Sequence, residues 1–259
     1  MPDLLTPIAE LFSMEGRTAL VTGASSGLGA RFARVLAGAG ATVFAAARRV
    51  DRLEALAKQD PRIHPVVCDV ANGADRIRLA ATALDATGRL DVLVNNAGIP
   101  GAPHAHAESP DAFAEVLAVN LVAAFHLARL LAESGPDGAT DRSIVNVGSI
   151  LGLVSGAPLG GAGYAASKAG LIGLTRELAG QWGAGGVRVN ALAPGWFRTE
   201  MTDELFADER SARWVERNTM LGRPGDAAEL DGALLFLASA ASSYCTGQTL
   251  VVDGGWTAR

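Results

Sequence analysis

Short apolar, β-branched runs alternate with longer helical patterns through almost the whole chain, and this alternation restricts the fold more than any other feature. Thr18–Thr22, Thr42–Ala47, Ile63–Cys68, Asp91–Val94, Ser143–Val147, Val187–Ala191 and Thr249–Val252 read as strands. Between them, Gly27–Ala39, Asp51–Lys58, Asn72–Thr87, Asp111–Glu133, Gly163–Trp182 and Asp226–Ala238 read as helices. Strands that are apolar on both faces and separated by helices form a parallel sheet covered on two sides. The right-handed crossover rule then makes the arrangement doubly wound. We therefore expect an α/β fold: a single-domain, Rossmann-like, doubly wound seven-stranded parallel sheet with helices on both faces. No linker-like break or low-complexity segment divides the 259 residues, so one domain is expected over 1–259, with 1–15 as an N-terminal extension.

Composition removes several classes. Apolar residues make up 49% of the chain, enough to bury a core. The net charge is −5, with no Lys/Arg block and no basic stripe interleaved with aromatics, so no nucleic-acid partner is expected. Met1–Glu15 has no basic flank before a long apolar segment and does not read as a secretory signal. No run reaches the roughly 18 uncharged apolar residues of a membrane span, so a cytoplasmic protein with no membrane partner is the expectation. Cys68 and Cys245 are expected to stay reduced, Cys68 as a small buried hydrophobe. No Cys/His cluster has zinc-ligand spacing, and no metal is expected.

Thr22-Gly23-Ala24-Ser25-Ser26-Gly27-Leu28-Gly29 lies between the first strand and the first helix. Glycines in that place serve a sharp turn, close backbone approach to a pyrophosphate, and tight helix–strand contact. The helix N-terminus offers unpaired N–H groups and partial positive charge to phosphates. Gly23, Ser25, Ser26, Gly27, Leu28 and Gly29 are thus candidate cofactor-binding residues. NAD-selective sites usually carry a carboxylate at the end of the second strand for the ribose hydroxyls. Here that strand ends Ala45-Ala46-Ala47-Arg48-Arg49. Arg48 suits a charge-assisted fork to a 2′-phosphate, so NADP(H) is expected, with NAD(H) as the alternative.

Tyr164 and Lys168 stand four apart in a helical pattern and share a face. A free tyrosine titrates near pH ~10, and lowering that by about three units requires on the order of 4 kcal/mol of phenolate stabilisation. A neighbouring ammonium in a desolvated site supplies such stabilisation, and Lys168 is expected to do so. Ser149 follows the strand Ser143–Val147 at the carboxyl edge, where ligands bind in open parallel sheets. Its hydroxyl is placed to hydrogen-bond a substrate carbonyl while Tyr164 moves the proton.

Together these residues resemble the short-chain dehydrogenase/reductase family in its single-domain form of about 250 residues. The resemblance runs from about Gly16 to Trp256. It is carried by the Thr22–Gly29 loop, Asn95-Asn96-Ala97-Gly98, Ser149, Tyr164-Ala165-Ala166-Ser167-Lys168, Pro194-Gly195 and Asp253-Gly254-Gly255, in that order. It implies that Asn120 is a fourth catalytic residue holding a proton-relay water beside Lys168. It implies that Asp69 and Val70 meet the adenine, and that Asn96, Ala97 and Gly98 pass the adenosine ribose and stabilise the centre of the sheet. Pro194, Gly195 and Thr199 would meet the nicotinamide carboxamide, and Lys168 the nicotinamide ribose. The implied reaction is hydride transfer between the nicotinamide and a small-molecule carbonyl/secondary alcohol, with Ser149 and Tyr164 polarising the oxygen.

Two segments are candidates for shaping the substrate site. Ile150–Gly163 contains Leu151, Leu153, Val154 and Leu159 with five glycines; residues 196–225, with Trp196, Phe197, Met201, Leu205, Phe206, Trp214 and Met220, resemble a substrate lid. Most of those lid side chains are expected to pack the small helices onto the body, and His104 and His106 are expected to be solvent-exposed. An apolar pocket fits these residues better than one for a charged sugar phosphate. By resemblance, the Ala- and Gly-rich helices Asp111–Glu133 and Gly163–Trp182 would build a homotetramer, or failing that a homodimer. The nearest alternative is a 3-oxoacyl thioester reductase, which would want basic residues at the pocket mouth; Arg129, Arg176 and Arg198 are the candidates. A non-catalytic dinucleotide sensor would be expected to lack the tyrosine or the lysine, and this chain keeps both. A dehydratase or epimerase holding NAD would favour the acid missing at the second strand's end.

Overall fold

The computed structural model describes residues 7–134, 141–157 and 160–259. A short helix α1 (Ile8–Leu11) leads into β1 (Thr18–Thr22), α2 (Gly27–Gly38), β2 (Thr42–Ala47), α3 (Val50–Ala57), β3 (Ile63–Val67), α4 (Gly73–Thr87) and β4 (Val92–Asn95). The second half runs α5 (Pro110–Leu117), α6 (Ala123–Glu133), β5 (Arg142–Val147), α7 (Ala162–Trp182), β6 (Val187–Pro194), α8 (Asp203–Ala207), α9 (Glu209–Asn218), α10 (Asp231–Ala238) and β7 (Thr249–Val252). The seven strands form one parallel sheet in the order β3-β2-β1-β4-β5-β6-β7. The winding reverses between β1 and β4, and that switch point opens a crevice at the carboxyl ends of the strands.

Alternation along each strand sends neighbouring side chains to opposite faces. Ala19 and Val21 of β1 join the layer formed with Phe32 and Leu36 of α2 and Leu234 and Leu237 of α10. Leu20 between them joins the other layer, with Leu79 of α4, Leu127 and Leu131 of α6 and Leu178 of α7. The sheet is thus buried on both faces where β1, β4, β5 and β6 lie, as their continuous apolar runs require. The edges differ from the expectation. In β3, His64 and Pro65 are exposed, and the proline sits where a missing ladder donor costs least. β7 at the other edge is only half-buried throughout.

Three further departures follow from packing that the sequence pattern does not encode. β6 runs on to Pro194, because Ala191–Pro194 pairs with Thr249–Val252. The helix expected over Asp111–Glu133 is interrupted by a π turn at Ala118–Val122. The whole of Pro110–Glu133 is, by length and composition, apolar enough to cross a membrane, although Asp111, Glu115, Arg129 and Glu133 confine its uncharged stretch to Val116–Ala128. It packs instead against α4, α7 and β4 of the sheet. The N-terminal extension is not loose where it is described: Met14 is fully buried and its N–H donates to the Ala39 carbonyl at 2.9 Å. Leu159 and residues 1–6 lie outside the described residues.

Candidate active site

The turn from β1 into α2 forms one wall of the crevice. Gly23 and Gly27 adopt left-handed φ values of +67° and +52°, which a side chain would strain. Gly29 needs to be glycine for another reason: a Cβ there would stand 2.3 Å from the Gly23 carbonyl oxygen. Thr22 Oγ1 accepts hydrogen bonds from the Asn96 and Ala97 N–H groups, both at 3.0 Å, and Asn96 Nδ2 donates to the Thr22 carbonyl at 2.9 Å. The turn after β4 is thereby pinned to the glycine turn across the switch point. Behind it, Asn95 Nδ2 donates to Asn146 Oδ1 at 2.9 Å and Asn146 Nδ2 to Thr175 Oγ1 at 3.0 Å, a buried chain that ties β4, β5 and α7 together.

The crevice has a volume of about 360 Å³, within the range of about 300–1,000 Å³ usual for small-molecule sites. Its lining brings together Gly23, Ser25, Ser26, Gly27, Leu28, Gly29, Arg48, Asp69, Val70, Asn96, Ala97, Gly98, Ser149, Tyr164, Lys168, Pro194, Gly195 and Thr199. Every residue named from the sequence is there except Asn120. Asp69 also serves the local backbone, its Oδ1 accepting the Ala71 N–H at 3.0 Å. Cys68 reaches the same lining but is 1% exposed, and burial pushes its thiol up to about 11.

Tyr164 and Lys168 lie on α7, and the Lys168 ammonium sits 5.5 Å above the centre of the tyrosine ring. Lys168 is buried and Nζ donates to the Val147 carbonyl at 2.7 Å. Burial lowers its pKa to about 8. Tyr164 departs from the expectation. Burial raises its pKa, and only the Ser149 hydroxyl beside it works the other way. The ammonium stands against the ring face, anchored to a backbone carbonyl, and burial outweighs the Ser149 hydrogen bond in setting the direction of the tyrosine's shift. Ser149 opens a short 3-10 turn after β5, and its Oγ accepts the Leu151 N–H at 3.1 Å.

Asn120 stands in the π turn, a bulge type that recurs at functional sites. Its side chain is committed: Oδ1 accepts from Ile99 N–H at 2.9 Å, and Nδ2 donates to the Ile99 carbonyl and to Ser167 Oγ, both at 3.0 Å. Ser167 Oγ in turn donates to the Tyr164 carbonyl at 2.7 Å. The amide therefore holds the Gly98–Ile99 turn against α7, and a Cβ added to Gly98 would stand 3.3 Å from Asn120 Oδ1 and 3.7 Å from Lys168 Nζ.

Three residues were missed from the sequence. Arg49, not only Arg48, faces the glycine turn; its Nη2 donates to Ser25 Oγ at 2.9 Å and to Ser26 Oγ at 2.7 Å. The Arg48-Arg49 doublet was the available signal, and only backbone direction at the strand end decides between the two. Glu200 reaches across to Arg49 and Arg52 with no sequence mark to foretell it. Glu108 accepts the Gly163 N–H at 2.8 Å, placing a carboxylate against the first turn of α7 where the helix dipole favours it. Of the aromatic segment after β6, Trp196 and Trp214 pack edge-on against each other and Trp256, and Phe197 is buried. Met201 and Met220 remain exposed, as are His104 and His106.

The strand order, with a glycine turn at the switch point, places the chain among the Rossmann-like α/β proteins. The family model described as enoyl-(acyl carrier protein) reductase matches residues 23–257. The chain is 35% identical to the 2-dehydro-3-deoxy-D-gluconate 5-dehydrogenase of Bacillus subtilis, over 96% of this chain and 98% of that one. It is 39% identical to a 3-oxoacyl-(acyl-carrier-protein) reductase of Rickettsia bellii, over 95% and 98%. Among solved structures, a gluconate 5-dehydrogenase from Burkholderia cenocepacia in complex with NADP and tartrate superposes with a TM-score of 0.89 at 34% identity, covering 97% of this chain and 99% of that one. The chain belongs to the short-chain dehydrogenase/reductase family and is one of its oxidoreductases.

Proposed function

We propose that this oxidoreductase uses NADP(H) to interconvert a carbonyl and a secondary alcohol, with Tyr164 as the proton-transferring group, Ser149 and Lys168 as its partners and Asn120 supporting them. The observation that carries this reading is convergence. Ser149, Tyr164 and Lys168 come from two separate elements, β5 with its following turn and α7, and share one crevice with the glycine turn. A dinucleotide fits that crevice, since Gly23, Gly27 and Gly29 line it without side chains and Arg49 gathers Ser25 and Ser26 into a cluster of donors. Gly23–Gly29 and the α2 N-terminus would hold the pyrophosphate, Asp69 and Val70 the adenine, Arg48 and Arg49 a 2′-phosphate, and Pro194, Gly195 and Thr199 the nicotinamide end. Bound there, the nicotinamide supplies or takes up the hydride.

The protein's own part is to orient an oxygen and move a proton. Ser149 and Tyr164 present two hydroxyls to the substrate oxygen. In the carbonyl-reducing direction the phenol is the proton donor, and in the reverse direction its phenolate is the acceptor. Lys168, fixed on the Val147 carbonyl, holds a positive charge by the ring and keeps two N–H groups for the cofactor ribose or a relay water. Leu153, Val154 and Met201, exposed on the flanking segments, support an apolar side to the substrate, with 196–225 as its lid. The exposed Val122 and Phe125 support assembly of copies through the α5–α6 stretch, as a tetramer or a dimer.

The test is turnover of NADPH and NADH over a panel of apolar ketones, polyol acids and their alcohols, for wild type and Tyr164→Phe. Loss of the proton donor is expected to lower kcat by about 10²- to 10⁴-fold. Equal rates for the two proteins would end the mechanism, and a preference for NADH would remove the role given to the arginines.

A further inference from the structure

An ionic contact joins the two walls of the crevice on the Arg49 side. Glu200 follows Thr199 on the segment after β6, while Arg49 and Arg52 stand at the start of α3. One Glu200 carboxylate oxygen lies 3.1 Å from Arg49 Nη1, and the other pairs with Arg52. The same Arg49 guanidinium reaches Ser25 and Ser26 on the glycine turn. The segment rests on that turn as well: a Cβ added to Gly27 would meet the Thr199 side chain at 3.5 Å. Arg52, the Ser26 hydroxyl and Arg49 draw the Glu200 carboxyl down to about 2, so it is ionised at any pH where the fold is of interest. The Glu200 carboxylate thus sits on an arginine that also holds two serine hydroxyls.

We propose that Glu200 is a specificity-determining residue, which latches the segment after β6 across the crevice and competes with the 2′-phosphate of NADP(H) for Arg49. The inference rests on the NADP(H) reading given above. A phosphate monoester brings nearly two negative charges and three acceptor oxygens to a planar guanidinium. It displaces a single carboxylate that Arg52 already shares. An unphosphorylated ribose brings no anion to this spot and leaves the Glu200–Arg49 pair in place. Affinity for a ligand that needs the open form falls in proportion to the closed fraction. Glu200 therefore weakens binding of a 2′-phosphate, which must displace it from Arg49, more than binding of a ligand without one.

The probes are 2′,5′-ADP and 5′-ADP, titrated by calorimetry onto the full chain in wild type and Glu200→Gln. Removing the competing anion is expected to tighten 2′,5′-ADP by about twofold to fivefold, the factor an exposed ion pair carries, with 5′-ADP changing less. Trypsin adds a readout that contact loss at a remote surface would not move. Cleavage after Arg198 and Arg210 is expected to be faster in Glu200→Gln than in wild type without ligand. Unchanged or weakened 2′,5′-ADP binding in the variant, or equal cleavage rates, overturns the latch. If wild type itself binds 2′,5′-ADP no better than 5′-ADP, the NADP(H) reading has failed and the competition with it, a result distinct from a preference that Glu200→Gln leaves untouched.

Discussion

Gly29→Ala tests the most confined point of the glycine turn with the smallest possible change. The added Cβ would lie 2.3 Å from the Gly23 carbonyl oxygen and 2.5 Å from Asn96 Nδ2. Ordinary contact begins near 3.4 Å, so the groups must part by about 1.1 Å on the carbonyl side. Neither neighbour is free to move. The Gly23 carbonyl belongs to a turn already at φ +67°, and Asn96 Nδ2 is donating to the Thr22 carbonyl at 2.9 Å. Overpacking of this kind costs about 1–3 kcal/mol, and losing the Asn96 bond adds about 1 kcal/mol. At about 2–4 °C of melting temperature per kcal/mol in a chain of this size, Gly29→Ala should melt roughly 4–16 °C below wild type. Gly38 near the end of the same helix provides the control, since a Cβ there meets nothing within 4 Å. Gly38→Ala should gain up to about 1 kcal/mol from helix propensity alone. Thermal unfolding by circular dichroism on the three proteins measures both signs. If Gly29→Ala melts with wild type, or the two substitutions shift it the same way, the contact argument is wrong.

Three other outcomes are expected. Asn146→Ala removes one hydrogen bond each from the buried Asn95 amide and the Thr175 hydroxyl, so it should cost about 1–3 kcal/mol in urea unfolding, more than Thr175→Ser, which keeps the acceptor. Met14→Ala removes a fully buried side chain and should destabilise by about 2–5 kcal/mol; a change within 0.5 kcal/mol, on the order of a surface substitution, would mean that the N-terminal segment does not dock. Lys168 has a pKa of about 8 in the folded chain against 10.5 when exposed. Between those values the unfolded state binds more protons, so burial of Lys168 costs on the order of 3 kcal/mol below pH 8 and progressively less as the pH rises toward 10.5. Wild type should gain on Lys168→Met across that window, and parallel stability profiles for the two proteins would contradict the burial argument.

Much of the layout was legible because strand alternation and helical periodicity are local. Ala19, Leu20 and Val21 announce a strand buried on both faces before anything is known of its neighbours, and the glycine turn announces its own geometry. What escaped depends on partners distant in sequence. The end of β6 is set by pairing with Thr249–Val252, and the edge character of β3 by the absence of a further neighbour among the described strands. Arg48 and Arg49 are indistinguishable as letters. Their different surroundings come from the way the chain leaves β2, which turns the second guanidinium toward Ser25 and Ser26.

The instructive departure is electrostatic. An i,i+4 Tyr/Lys pair suggests a phenol acidified by its neighbour, and the spacing does bring the ammonium to 5.5 Å from the ring. Spacing, however, says nothing about burial, and burial acts on both members at once. It raises the pKa of the phenol and lowers that of the amine, each toward its neutral form. The pair is thus poised with the tyrosine proton retained, and with a lysine whose charge is itself close to titrating at neutral pH. A ring of hydroxyls entering the crevice, accepting from the ammonium and donating to the phenolate, would raise Lys168 and lower Tyr164 together. We expect the phenol to become more acidic only in the loaded crevice, seen as a downward shift of a Tyr164-dependent ultraviolet titration when an occupant is present.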